Sequence, residues 1–256
     1  MKAFPRISGS VALSVANLQA RPWCRVLLLF ALLSLALAST AFAGDFTNIV
    51  FFGDSLSDAG NHFIAFGTTS QQPFAPIPEA SYAIGGHHFS NGATWAEQLA
   101  TALHRPTSGE PALRVPGVFT NYAVGRARAR PGAPVFSAFD LSTQVGLFLS
   151  DFGGQASPTD LYVIWIGAND LNDALNALAT DLSGATSFGI IQAAITAVAG
   201  NIQALWASGA RTFLIPNVPN LAITPAVRAL GPFAQVVATQ FTGAYNQALD
   251  QALNTL

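Results

Sequence analysis

Hydrophobic and polar positions divide the chain into alternating short apolar runs and longer periodic ones. Phe46-Thr-Asn-Ile-Val-Phe-Phe52 is rich in β-branched and aromatic residues, ends at Gly53, and predicts a buried strand. Leu161-Tyr-Val-Ile-Trp-Ile166 predicts a second, Arg211-Thr-Phe-Leu-Ile215 a third, and Val118–Val124 a short additional one. Between and after them, Ala93–Leu103, Leu141–Phe152, Ala185–Ser208 and Phe233–Leu253 carry apolar residues at helical spacing. The first should bury Trp95, Leu99 and Ala102, and the last Val237, Phe241, Ala244, Ala248 and Ala252. Residues 62–92 show little period and many Gly, Pro and Ser, as a long surface loop would, and a Gly/Arg/Pro-rich loop reaches to about residue 138. Strands alternating with helices predict one α/β domain, a mostly parallel sheet covered on both faces.

The helix predicted at Ala185–Ser208 lies in an uncharged stretch and invites comparison with a membrane span. Its Ile191, Ile195, Val198, Ile202 and Leu205 form one stripe, while Gln192, Thr196 and Gln203 share another face. That amphipathicity fits a helix lying on a sheet, so no stable membrane span is expected after the N-terminal segment.

The N-terminal segment is different. Lys2, Arg6, Arg21 and Arg25 precede an uncharged apolar run, Val26–Ala38, followed by Ala41-Phe42-Ala43. A basic region, an apolar core too short to span a bilayer and a small-x-small site predict a secretory signal peptide over residues 1–43. The chain is then extracytoplasmic, with residues 44–256 as its folded domain. Over the whole chain hydrophobic residues make up 51% and charged ones 9%, with a formal net charge of −2. Beyond residue 43 every basic residue is Arg and the charge is −6, which disfavours nucleic acid as a partner. Absence of Lys there excludes a P-loop or Schiff-base lysine, and absence of Cys excludes a thiol nucleophile, a disulfide or a cysteine metal site.

Chemistry is expected in the loops that follow strands. Gly53-Asp54-Ser55 is by itself an ordinary strand–turn–helix corner, since Gly and Asp favour turns and Ser caps helices. Its functional reading makes Ser55 an exposed nucleophile. Gly167-Ala-Asn169-Asp170 is likewise either a capped turn or a source of an amide donor. Gly125 is either a turn residue or an unobstructed backbone N–H.

Together the three loops carry more. Phe51-Phe-Gly-Asp-Ser-Leu-Ser-Asp58-Ala-Gly-Asn61, Asn121-Tyr-Ala-Val-Gly125 and Ile166-Gly-Ala-Asn-Asp170 resemble, in order, the signature blocks of the GDSL, or SGNH, hydrolases. Phe89–Trp95 and Pro216–Pro225 resemble intervening segments of that family's secreted lipase and phospholipase-like branch. The resemblance implies a three-layer α/β/α, flavodoxin-like domain that hydrolyses carboxylic esters of small molecules or lipids without metal or cofactor. It implies Ser55 as nucleophile, with the N–H groups of Ser55 and Gly125 and the Asn169 amide around the oxyanion.

Two departures qualify this expectation. Many relatives have a second Gly where this chain has Arg126. The family's base comes from an Asp-x-x-His motif near the C-terminus, whereas the histidines here are His62, His87, His88 and His104. The segment bearing that motif, and a last strand with it, are therefore expected to be missing, leaving an impaired esterase; the rival reading recruits His62, seven residues after Ser55, as the base. A carbohydrate O-acetylesterase and a non-catalytic secreted ligand-binding remnant are the alternatives.

Overall fold

A computed structural model describes residues 46–67, 87–132 and 137–256. The signal-peptide expectation and the middle of the predicted 62–92 loop lie outside the described residues. Three strands, β1 (Ile49–Gly53), β2 (Leu161–Trp165) and β3 (Thr212–Leu214), form a parallel sheet in the order β1-β2-β3. Ile49 pairs with Leu161 and Gly53 with Trp165, so β1 and β2 finish level at their carboxyl ends.

Side-chain alternation along β1 and β2 gives the sheet two apolar faces. Val50, Phe52, Tyr162 and Ile164 enter the larger core, and Ile49, Phe51, Leu161 and Val163 a second core opposite. The larger core is rich in aromatics: Phe52 meets Phe148 edge-on with centroids 5.8 Å apart, and Tyr122 does the same at 5.8 Å. Such pairs add about 0.5–1.5 kcal/mol each beyond the area they bury.

Helices cover both faces, giving three layers. Short α1 (Asn61–Phe66) follows β1, and α2 (Trp95–Ala102) packs on the smaller core. α3 (Leu141–Asp151), α4 (Ala168–Ala177), α5 (Ala185–Ser208) and α7 (Pro232–Leu253) contribute to the larger one, and short α6 (Pro225–Ala229) precedes α7. Thr94 and Glu97 close a reciprocal capping box at the start of α2. The face of α2 differs from expectation: Ala96 and Ala100 are fully buried, with Trp95 and Leu99 flanking them, because small residues let the helix approach the sheet closely. α5 is long and apolar enough to cross a membrane by composition. Its Ile191, Ile195, Val198, Ile202 and Leu205 stripe is nevertheless buried in the larger core, with Gln192, Thr196 and Gln203 exposed.

The strand expected at Val118–Val124 is only partly realised. Val118 and Phe119 still belong to a turn, both donating to the Val115 carbonyl. From Thr120 onward the chain runs beside β1: Phe51 N–H donates to Thr120 O, Tyr122 N–H to Phe51 O, and Val124 N–H to Gly53 O. This extended segment thus flanks β1 on the side away from β2. At the opposite side β3 pairs only with β2 among the described residues, and its Leu214 is 39% exposed.

Candidate active site

Three chain segments leave the sheet together at its carboxyl end. Ser55 stands two residues past Gly53, Gly125 one residue past the Val124–Gly53 hydrogen bond, and Asn169 in the first turn of α4. Ser55 and Asn169 are half-buried and Gly125 is buried.

The Ser55 turn is built by acids. Asp54 is buried; its backbone carbonyl accepts from the Ser57 and Asp58 N–H groups, and its Oδ1 from Leu56 N–H at 3.0 Å. Asp58, fully buried, accepts four backbone N–H bonds: Gly60 and Asn61 at Oδ1, His62 and Gly125 at Oδ2. Burial pushes Asp54 up to about 7 and Asp58 up to about 6, the second against those four donors. Asn61 ties the same turn to the next loop, donating to the Asn121 and Ala123 carbonyls at 2.7 and 2.9 Å. Gln144 of α3 brackets the end of β1, accepting from Gly53 N–H and donating to Gly53 O at 2.9 and 2.8 Å.

Here the structure departs from the role expected for Gly125. Its N–H donates to Asp58 Oδ2 at 2.7 Å and is not presented to a substrate oxygen in this conformation. The lack of a side chain serves packing: a Cβ on Gly125 would lie 2.1 Å from Phe89 Cε2. Arg126, one of the non-glycine residues with positive φ, takes the left-handed conformation at +68°, a conformation that favours glycine.

The second and third loops are joined directly. Asn169 Nδ2 donates to Ala127 O at 2.9 Å, which occupies one of the two amide hydrogens. Asp170, fully buried, accepts from Ala129 N–H at 2.8 Å and from the Arg130 guanidinium at 2.9 Å. Asp173 then receives a bidentate pair from Arg128 at 3.0 and 2.9 Å and a further bond from Arg130 at 2.8 Å. Two short-range acids on α4 therefore clamp the Arg-rich loop.

The histidines are placed as follows. His62 is buried, with Nδ1 3.2 Å from Gly125 O and its ring against Phe66 and Phe89. Burial pushes its pKa down to about 4, with Arg126 acting in the same direction, so the ring is neutral near pH 7. His88 Nε2 lies 3.1 Å from Glu97, and His87 packs on Phe63. Among the described residues no group of three His, Cys, Asp or Glu is placed to hold a metal ion.

Sequence reading singled out Ser55, Gly125 and Asn169 but assigned no role to Asp58, Asn61, Gln144, Arg128 or Arg130. Asp58 and Asn61 lie inside the first signature block, three and six residues after Ser55. Polar residues that close to a strand end are a signal for such turn-building bonds. Gln144 carries no comparable signal, since its partner is 91 residues away.

Comparison with known proteins identifies the family. The profile of the GDSL-like Lipase/Acylhydrolase family matches residues 49–256. Lipase 1 of Photorhabdus luminescens is 27% identical over 77% of this chain and 26% of its own length. An acetylesterase of Thermothelomyces thermophilus is 26% identical over 78% of this chain and 63% of its own. An inactive GDSL esterase/lipase-like protein 23 of Arabidopsis thaliana is 31% identical over 69% and 47%. The chain thus spans from about a quarter to under two thirds of these relatives. With its motifs, its parallel α/β sheet and this match, the chain belongs to the GDSL-like lipase/acylhydrolase family of carboxylic ester hydrolases.

Proposed function

We propose that this is a secreted serine esterase or lipase in which Ser55 attacks the ester carbonyl. Ser55 Oγ forms the new bond to the carbonyl carbon, the alcohol leaves with a proton, and water then releases the acid. Developing negative charge on the carbonyl oxygen is met by the Ser55 N–H and the second Asn169 amide hydrogen, donors typically worth about 2.7–4 kcal/mol each. Gly125 acts by holding its loop against Asp58 and Phe89. The supporting observation is the pair of hydrogen bonds, Asp58–Gly125 and Asn169–Ala127, that lash the three motif loops into one cradle at the end of the sheet. Export is supported by the signal-peptide pattern of residues 1–43.

Serine is a weak nucleophile without a neighbouring base. His62, seven residues after Ser55, has Nδ1 on the Gly125 carbonyl and a pKa pushed down to about 4 by burial, which makes it a weak base. The acetylesterase relative supports a second reading, in which the acyl group removed is acetyl. The test is hydrolysis of p-nitrophenyl acetate, butyrate and palmitate by the exported chain and by Ser55→Ala. Turnover lost in the variant supports the serine esterase, and the chain-length profile separates lipase from acetylesterase. Identical rates for both proteins overturn it.

A further inference from the structure

Asn169 owes its position to the turn that opens α4. Gly167 caps that helix at φ 121° and its carbonyl accepts from Leu171 N–H. That backbone conformation suits glycine, and the space is also closed: a Cβ there would lie 2.3 Å from Tyr245 Oη. Tyr245 comes from the middle of α7, 76 residues after Asn169, and is fully buried. Its hydroxyl donates to Ile166 O at 3.0 Å, the carbonyl just before the turn. The ring thus forms the floor of the Gly167 turn, and the hydroxyl fixes the last residue before it. On the other side, Asn169 Nδ2 holds Ala127 O. The amide is therefore set between two anchors, one on the Arg-rich loop and one on α7.

We propose that Tyr245 is a positioning residue for the Asn169 amide, acting through the Ile166–Gly167 turn. This rests on the reading of Ser55 and Asn169 as nucleophile and oxyanion donor. Without the hydroxyl, the Ile166 carbonyl loses its buried donor and the turn relaxes. A displacement of about 1 Å in a positioned group costs on the order of 10²-fold in rate, so even a partial shift is measurable.

The test uses phenylboronic acid, which forms a tetrahedral adduct with a serine hydroxyl and reports the oxyanion cradle independently of turnover. Boron NMR titration compares the whole chain with Ser55→Ala, Tyr245→Phe, Asn169→Ala and the Tyr245→Phe/Asn169→Ala double variant. The expected result is an adduct in the unaltered chain, none in Ser55→Ala, and affinity about tenfold weaker in Tyr245→Phe. In the Asn169→Ala background, Tyr245→Phe should cause no further loss, because the two act as one unit. An unchanged affinity in Tyr245→Phe, or an equal loss in both backgrounds, overturns the positioning role and leaves Ser55 standing. Equal binding by the unaltered chain and Ser55→Ala overturns the Ser55 reading, and the role of Tyr245 with it.

Discussion

Gly125 N–H donates to Asp58 Oδ2 at 2.7 Å, across 67 residues of sequence. This bond fixes the second motif loop to the turn that carries Ser55. Because the same carboxylate also accepts from Gly60, Asn61 and His62, one side chain organises both segments.

Asp58→Asn should therefore be costly despite its small change in shape. An amide keeps one accepting oxygen and turns an NH₂ group toward two backbone N–H donors. Two buried N–H donors left facing an NH₂ group cost about 1–3 kcal/mol each, so a loss of about 3 kcal/mol is expected. Urea denaturation at pH 7.5 measures it, and a change below the experimental scatter would deny Asp58 its organising role.

Asp54 predicts a pH dependence. Its carboxyl is held near 7, against 3.8 ordinarily, chiefly by burial, with Asp170 pushing the same way. The folded chain keeps that proton over the interval in which the unfolded chain has lost it. Stability from this group is thus fully present below about pH 4 and is lost as pH rises to about 7, by about 4 kcal/mol. Asp58, raised to about 6, adds in the same direction. Asp173, held low by Arg128 and Arg130 despite its burial, works in the opposite sense but only at the acid end. Urea midpoints should fall between pH 5 and pH 8, and Asp54→Asn should flatten that fall. A slope unaffected by the substitution would place the titration elsewhere.

Arg130 reaches both Asp170 and Asp173. Arg130→Ala leaves Asp170 buried beside two backbone N–H groups but without its countercharge, an arrangement that typically costs about 3–5 kcal/mol. Arg130→Lys restores charge without the fork and should recover only part of it. Thermal or urea unfolding of the two variants gives the ordering, and a lysine variant as stable as the parent would show that the fork is unnecessary.

Much of this was legible from residues alone. The strands at β1, β2 and β3 announce themselves because buried parallel strands are continuous apolar runs, and α5 because its stripe is long and regular. That Ser55, Gly125 and Asn169 lie at the carboxyl end of the sheet was legible because each follows an extended apolar run and sits in a recognisable block. Gly125's N–H was not, since its commitment depends on a carboxylate whose proximity arises only on folding. Tyr245 escaped for a related reason. The pattern of α7 pointed to Val237, Phe241, Ala244, Ala248 and Ala252, whereas Ala238, Phe241, Tyr245 and Leu249 are its buried apolar residues. A tyrosine reads as a surface residue until a partner for its hydroxyl is known, and that partner lies on a different element.

The central claim is that Ser55 is the group that takes the acyl chain. The most direct measurement is mass spectrometry of the chain quenched during reaction with p-nitrophenyl acetate, with the modified peptide sequenced. Acylation at Ser55 should leave an acetyl group on the peptide containing Ser55 and on no other. Acetyl carried by His62 or another side chain, or release of p-nitrophenol at an unchanged rate from Ser55→Ala, would contradict the account.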